Sequence, residues 1–106
     1  MYRVFKAPKF EKKINKNLEK SEINELNKFI NNLKKGKISG KILSYEFFRE
    51  KKIGGKRIYF LIYEDFNIIL LISISNKKYQ QETIDEIKYM LPEFKITAFD
   101  LYKKIK

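Results

Sequence analysis

Apolar residues along the chain recur first at helical spacing, then at strand spacing, then at helical spacing again. "YRVF" (2–5) reads as a short strand that stops ahead of Pro8. Phe10, Ile14 and Leu18 lie on one face of a helix over 8–18 with proline in its first turn. Ser21 is placed to cap a second helix, in which Ile23, Leu26, Phe29, Ile30 and Leu33 form a stripe and Gly36 supplies the stop. Three stretches rich in Ile, Phe and Tyr follow, at 43–53, 56–64 and 68–75, and each predicts a strand. "QQETIDEIKYML" places Ile84, Ile87 and Leu91 on one helical face, with Thr83 and Glu86 at capping-box spacing and Pro92 as terminator. "FKITAFDLYKKIK" is expected to hold an extended piece at 94–99 and a frayed basic end. The fold class is α+β: a small, antiparallel-rich twisted sheet packed on a helical hairpin, in the order β-α-α-β-β-β-α.

Register follows from the turns. Gly54-Gly55 as a two-residue hairpin loop pairs Ile53 with Lys56, Lys52 with Arg57, Glu50 with Tyr59, Phe48 with Leu61 and Glu46 with Tyr63. Opposed residues share a face, so Tyr45, Phe47, Ile58, Phe60 and Ile62 are expected under the helices. A three-residue loop at 65–67, with Asn67 left-handed, would bury Leu70, Ile72 and Ile74 beside them. Ile69, Leu71, Ser73, Ser75 and Lys77 then join the open face. Its apolar end suits a protein partner and its basic end an anion. Arg49 falls on the helix side and would need a bulge to cross.

Composition narrows the chemistry. At 106 residues the chain suits one modest core, and 43% hydrophobic content argues for a folded domain rather than a basic tail. There is no cysteine or histidine, which removes thiolate and imidazole as nucleophile, acid–base group or metal ligand. No metal or cofactor is expected. No apolar run is long enough to span a membrane, and "MYRVFKAPKF" lacks signal-peptide character, so a cytoplasmic protein is expected. The formal net charge of +11 favours an anionic partner, nucleic acid or an acidic protein, although abundant Lys, Ile and Asn also fit an AT-rich genome. The glycines are no phosphate loop: Glu50 stands where its first glycine belongs, and Arg57 follows Lys56 in place of a hydroxyl residue.

The element order, with "KRIYFLIYED" and "NKKYQQETIDEI", resembles the RelE/ParE superfamily of toxins of type II toxin–antitoxin systems, and its archaeal RelE-like branch in particular. The resemblance covers 1–91 as a single RelE-like domain and leaves 92–106 as a C-terminal basic extension. It implies an acidic antitoxin partner and, for RelE-like members, metal-free mRNA cleavage at the ribosome that inhibits translation. ParE-like members share the fold but poison gyrase without cutting RNA, so a non-catalytic or degenerate toxin that inhibits by binding is the alternative.

By the same resemblance Arg57 takes the place of the arginine on the scissile phosphate, with Lys52, Lys77 and Tyr79 as further catalytic candidates. Arg49, Lys51, Lys56, Tyr59 and Lys78 are the candidate RNA-binding residues. Phe48, Leu61, Tyr63, Ile69 and Leu71 are the candidate antitoxin-binding residues. Cleavage needs a base for the 2′-OH, a clamp for the anionic phosphate and a proton for the 5′ oxygen. Lys52 beside Arg57, or Glu50, could act as base, and Tyr59 or Tyr79 could stack on a nucleobase or assist proton transfer. Solvated hairpin charges and ordinary cross-strand packing are the plainer readings of the same residues.

Overall fold

The computed structural model describes residues 1–105. Its elements are β1 (Arg3–Lys6), α1 (Pro8–Asn17), α2 (Lys20–Lys34), β2 (Lys41–Ile42), β3 (Phe48–Ile53), β4 (Lys56–Tyr63), β5 (Ile68–Asn76), α3 (Gln80–Tyr89) and α4 (Leu91–Ile105). The five strands form one sheet in the order β1-β5-β4-β3-β2, with β1 parallel to β5 and the remaining pairs antiparallel. Among the described residues no helix is long and apolar enough to cross a membrane.

The helical hairpin forms as its apolar stripes require. Phe10, Leu26, Phe29, Ile30 and Leu33 are buried against Ile53, Ile58, Phe60 and Ile62. Burial of each such side chain is worth about 1.5–3 kcal/mol. Gly36, at φ 84, ends α2: Lys37 N–H reaches back to Asn32 C=O at 2.9 Å, and Gly36 N–H bonds Leu33 C=O. The start differs from the reading at Ser21. Glu19 is the N-cap, and its backbone N–H donates to the Glu22 carboxylate at 2.9 Å. α3 likewise begins three residues ahead of Thr83, where Asn76 Oδ1 accepts from Tyr79 N–H at 3.1 Å.

The β3–β4 register matches the two-glycine hairpin, including Lys52 opposite Arg57 and Glu50 opposite Tyr59. Residues 43–47 do not continue β3. The chain turns there, Phe48 N–H bonding Tyr45 C=O, so Tyr45 and Phe47 stack on one another at the surface instead of entering the core. Glu46 consequently has no strand partner in Tyr63.

At the other turn Asn67 is left-handed (φ 54), but it closes a 3-10 turn over Glu64–Phe66, so Tyr63 pairs with Ile68. This four-residue connection alone would send Ser73 and Ser75 towards the α1–α2 core. A bulge between Tyr59 and Phe60, with Ile72 as the extra residue on β5, restores the phase. Ile69, Leu71 and Ile74 therefore face α1 and α2, whereas Leu70 and Ile72 face the opposite side. The expected pairing holds at Ile58–Ile74 and fails between the turn and the bulge.

That opposite side is also covered. Residues 94–99, expected to be extended, are helical, and Pro92 lies in the first turn of α4, where a missing N–H costs nothing. Phe94 and Leu101 of α4, with Ile84 and Ile87 of α3, pack on Phe48, Leu61, Leu70 and Ile72. The apolar end of the sheet is filled by the chain's own C-terminal helices.

Candidate functional site

Beyond the apolar rows, the same face turns polar towards the hairpin tip. Successive cross-strand rows carry Glu50, Tyr59 and Ser73, then Lys52, Arg57 and Ser75. The bulge creates this alignment. Tyr59 Oη and Ser75 Oγ are 2.8 Å apart in a buried hydrogen bond. Burial raises the Tyr59 phenol above the usual tyrosine value; the Ser75 hydrogen bond opposes this, Glu50 adds to it, and Arg57 opposes it.

The centre of the patch is a buried ion pair. Glu50 and Arg57 are 2% and 8% exposed, and Arg57 Nε stands 3.5 Å from Glu50 Oε1. Both Glu50 oxygens accept from the side-chain amide of Gln80, the first residue of α3, at 3.1 and 2.8 Å. Arg57 Nε, by contrast, is buried without a hydrogen-bond acceptor. With its oxygens held by Gln80 and screened from solvent, Glu50 is a poor base for a substrate hydroxyl and a natural counter-charge for Arg57.

Exposed cations surround this centre. Lys52 lies in the Arg57 row, and Lys77, Lys78 and Tyr79 follow directly on the end of β5, all exposed. Lys78 Nζ sits 5.4 Å from the Tyr79 ring centroid, and the ring is 49% exposed. The fold therefore brings Arg57, Lys52, Lys77, Lys78 and Tyr79 to one end of the sheet, with Tyr59 beneath them.

The other candidates lie elsewhere. Arg49 is opposite Phe60, on the α1–α2 side; its Nε donates to Glu46 C=O at 3.0 Å, and it lines a groove of about 570 Å³ at the Glu64–Asn67 turn. No bulge carries it across. Lys51 is opposite Ile58, bonds Ser39 Oγ at 3.3 Å and lies over the Phe29 ring. Lys56 pairs with Ile53, which belongs to the α1–α2 core. None of these three shares the Arg57 face. The expected partner surface is corrected too: Phe48, Leu61, Ile69 and Leu71 are fully buried, the first two under α3 and α4 and the last two under α1. Tyr63 alone of that set is part-exposed, at the rim of the groove.

Two contributors escape the sequence reading. One is Gln80. The other is Lys13 of α1, whose Nζ donates to Ser73 Oγ and Ile74 C=O, both at 3.2 Å. Because β1 ends at Lys6, α1 runs beside the free part of β5 and reaches its edge. Burial pulls the Lys13 ammonium below the ordinary lysine value; Lys9 reinforces this and Glu86 opposes it. A signal existed: Lys13 lies at i+3 from Phe10, beside the stripe of Phe10, Ile14 and Leu18. Among the described residues no carboxylate cluster could hold a metal ion.

No protein-family model matches the sequence. No curated protein matches it either. Solved structures do resemble the fold. An arginine-substituted mutant of the E. coli toxin RelE, bound to a peptide of antitoxin RelBc, superposes with a TM-score of 0.61 at 13% identity, covering 77% of this chain and 93% of that one. The RelB–RelE antitoxin–toxin complex of Methanococcus jannaschii gives 0.60 at 15% identity over 74% and 96% of the two chains. The isolated E. coli RelE toxin gives 0.58 at 16% identity over 82% and 99%. The five-stranded mixed sheet with its packed helices is thus a RelE-like toxin fold.

Proposed function

We propose that this protein is the toxin of a toxin–antitoxin pair and that it cleaves mRNA at the ribosome without a metal ion. The observation that carries this reading is the gathering of Arg57, Lys52, Lys77, Lys78 and Tyr79 at one end of the sheet, in a chain of net charge +11. Exposed lysines on both sides of the patch attract the RNA backbone, and Tyr79 offers a face for a nucleobase. Arg57 clamps the scissile phosphate as negative charge builds on it. Lys52 or Lys13 takes the 2′-OH proton; burial makes the Lys13 amine easier to deprotonate than an ordinary lysine. The 2′ oxygen attacks the adjacent phosphorus, the bond to the 5′ oxygen breaks, and that oxygen collects a proton from a neighbouring lysine or from water. The neighbours of like fold in complex with RelB antitoxins support a partner that covers this chain, and an acidic one suits its charge.

A second reading is favoured by the burial of Arg57 beside Glu50: a member of the fold that inhibits by binding and does not cut. Induced expression in bacteria separates the two. Growth arrest with mRNAs cleaved within reading frames supports the nuclease, whereas arrest with intact mRNA and altered DNA supercoiling supports the binder.

A further inference from the structure

The Glu50 carboxylate has two suitors, and the geometry records which one holds it. Gln80 bonds both of its oxygens, while the charged Arg57 Nε, only 3.5 Å from Oε1, is left buried without an acceptor. A buried charged donor would normally close on a carboxylate so near, because an unmade bond there costs more than a neutral one. The amide nitrogen lies between the two oxygens and anchors the carboxylate towards the start of α3. Glu50 thus stays close enough to balance the charge of Arg57 and too far to tie its Nε.

We propose that Gln80 is a positioning residue of the anion site: by retaining Glu50 on its amide it keeps the Arg57 guanidinium free to take a backbone phosphate of RNA. This deepens the reading above and rests on its assignment of Arg57 to the phosphate. Without Gln80 the carboxylate turns to Arg57 and competes with the phosphate. Stability and binding are then expected to move in opposite directions, because the new Glu50–Arg57 bond satisfies a buried donor and sets a carboxylate charge against an incoming phosphate.

The test uses Gln80→Leu, Gln80→Met and Arg57→Lys, with a single-stranded 2′-deoxy oligonucleotide as an uncleavable probe read by fluorescence anisotropy. Thermal melting and the Nε–H resonance of Arg57 are followed in parallel; Arg3 and Arg49 are the only other arginines, so the signal is assigned by its loss in Arg57→Lys. The expected result is binding weakened about tenfold in both Gln80 variants, an undiminished melting temperature, and a downfield shift of the Arg57 Nε–H. Unchanged affinity in the Gln80 variants, with a clear loss in Arg57→Lys, overturns the role of Gln80 and spares the phosphate assignment. Unchanged affinity in all three overturns both. A fall of melting temperature and affinity together, with the Nε–H resonance unmoved, assigns Gln80 to packing alone and also overturns the proposal.

Discussion

At the scale of single residues, the pairing of Lys52 with Arg57 was legible because two glycines leave a hairpin little choice of register. The environment of Arg57 was not, since Gln80 arrives from an element that begins 23 residues later and carries no local sign of its destination. Removing the arginine side chain strands Glu50, and breaking a buried pair from one side costs about 3–5 kcal/mol. Arg57→Lys is therefore the informative substitution: it keeps the charge and loses the fork. Tyr63 gives a separate, pH-dependent prediction. Burial raises its phenol to about 12, so the folded protein holds this proton after the unfolded chain has begun to lose it near 10. The contribution is complete below pH 10 and disappears as pH rises through 12. Melting temperatures across that window should fall for the wild type and fall less steeply for Tyr63→Phe. Parallel curves would place the alkaline sensitivity elsewhere, Tyr59 being the next group to test.

At the scale of elements, the hairpin tip, α1 and α2 follow from local pattern, whereas 43–47, the bulge and α4 do not. Residues 43–47 carry strand-forming side chains, but the chain turns at Tyr45, and tertiary pairing overrides propensity there. The bulge reconciles a four-residue turn with two serines that belong beside Arg57; single-residue alternation cannot express an extra residue. α4 has no recognisable start in the sequence because Pro92 suits the end of α3 as well as the first turn of the next helix, where it lies. The hairpin itself can be tested. Gly54 has φ 59, and a Cβ there would run into Glu22 Oε2, whereas one at Gly55 meets nothing within 4 Å. Gly54→Ala should lose about 1–2 kcal/mol from the left-handed backbone alone, and more from disturbing the Glu22 bond at the start of α2. Gly55→Ala should lose less than half as much. Urea denaturation of the two variants measures the difference, and equal losses would contradict the left-handed conformation of Gly54.

At the scale of the whole molecule, charge is general and its arrangement is local. A net +11 predicts salt-sensitive nucleic-acid binding, but Arg49, Lys51 and Lys56 lie on the α1–α2 side, away from the Arg57 face. Each phosphate contact contributes about 0.7 to the slope of log affinity against log salt for single strands. Replacing Lys52, Lys77 or Lys78 by alanine should lower that slope by about 0.7 each, while Arg49→Ala leaves it unchanged. An equal effect at Arg49 would mean that RNA does not choose this face. The sheet separates the two sides, and the C-terminal helices close the apolar end of the site's own face, leaving Lys52, Lys77, Lys78 and Tyr79 exposed around the buried Arg57 at its basic end. We propose that this end cuts RNA through Arg57. Single-turnover incubation of the purified protein with programmed ribosomes and end-labelled mRNA, with and without chelator, tests it directly. Cleavage is expected that chelator does not suppress and that Arg57→Lys reduces at least a hundredfold with the melting temperature retained. Intact mRNA with the wild type, or undiminished cleavage by Arg57→Lys, would contradict it.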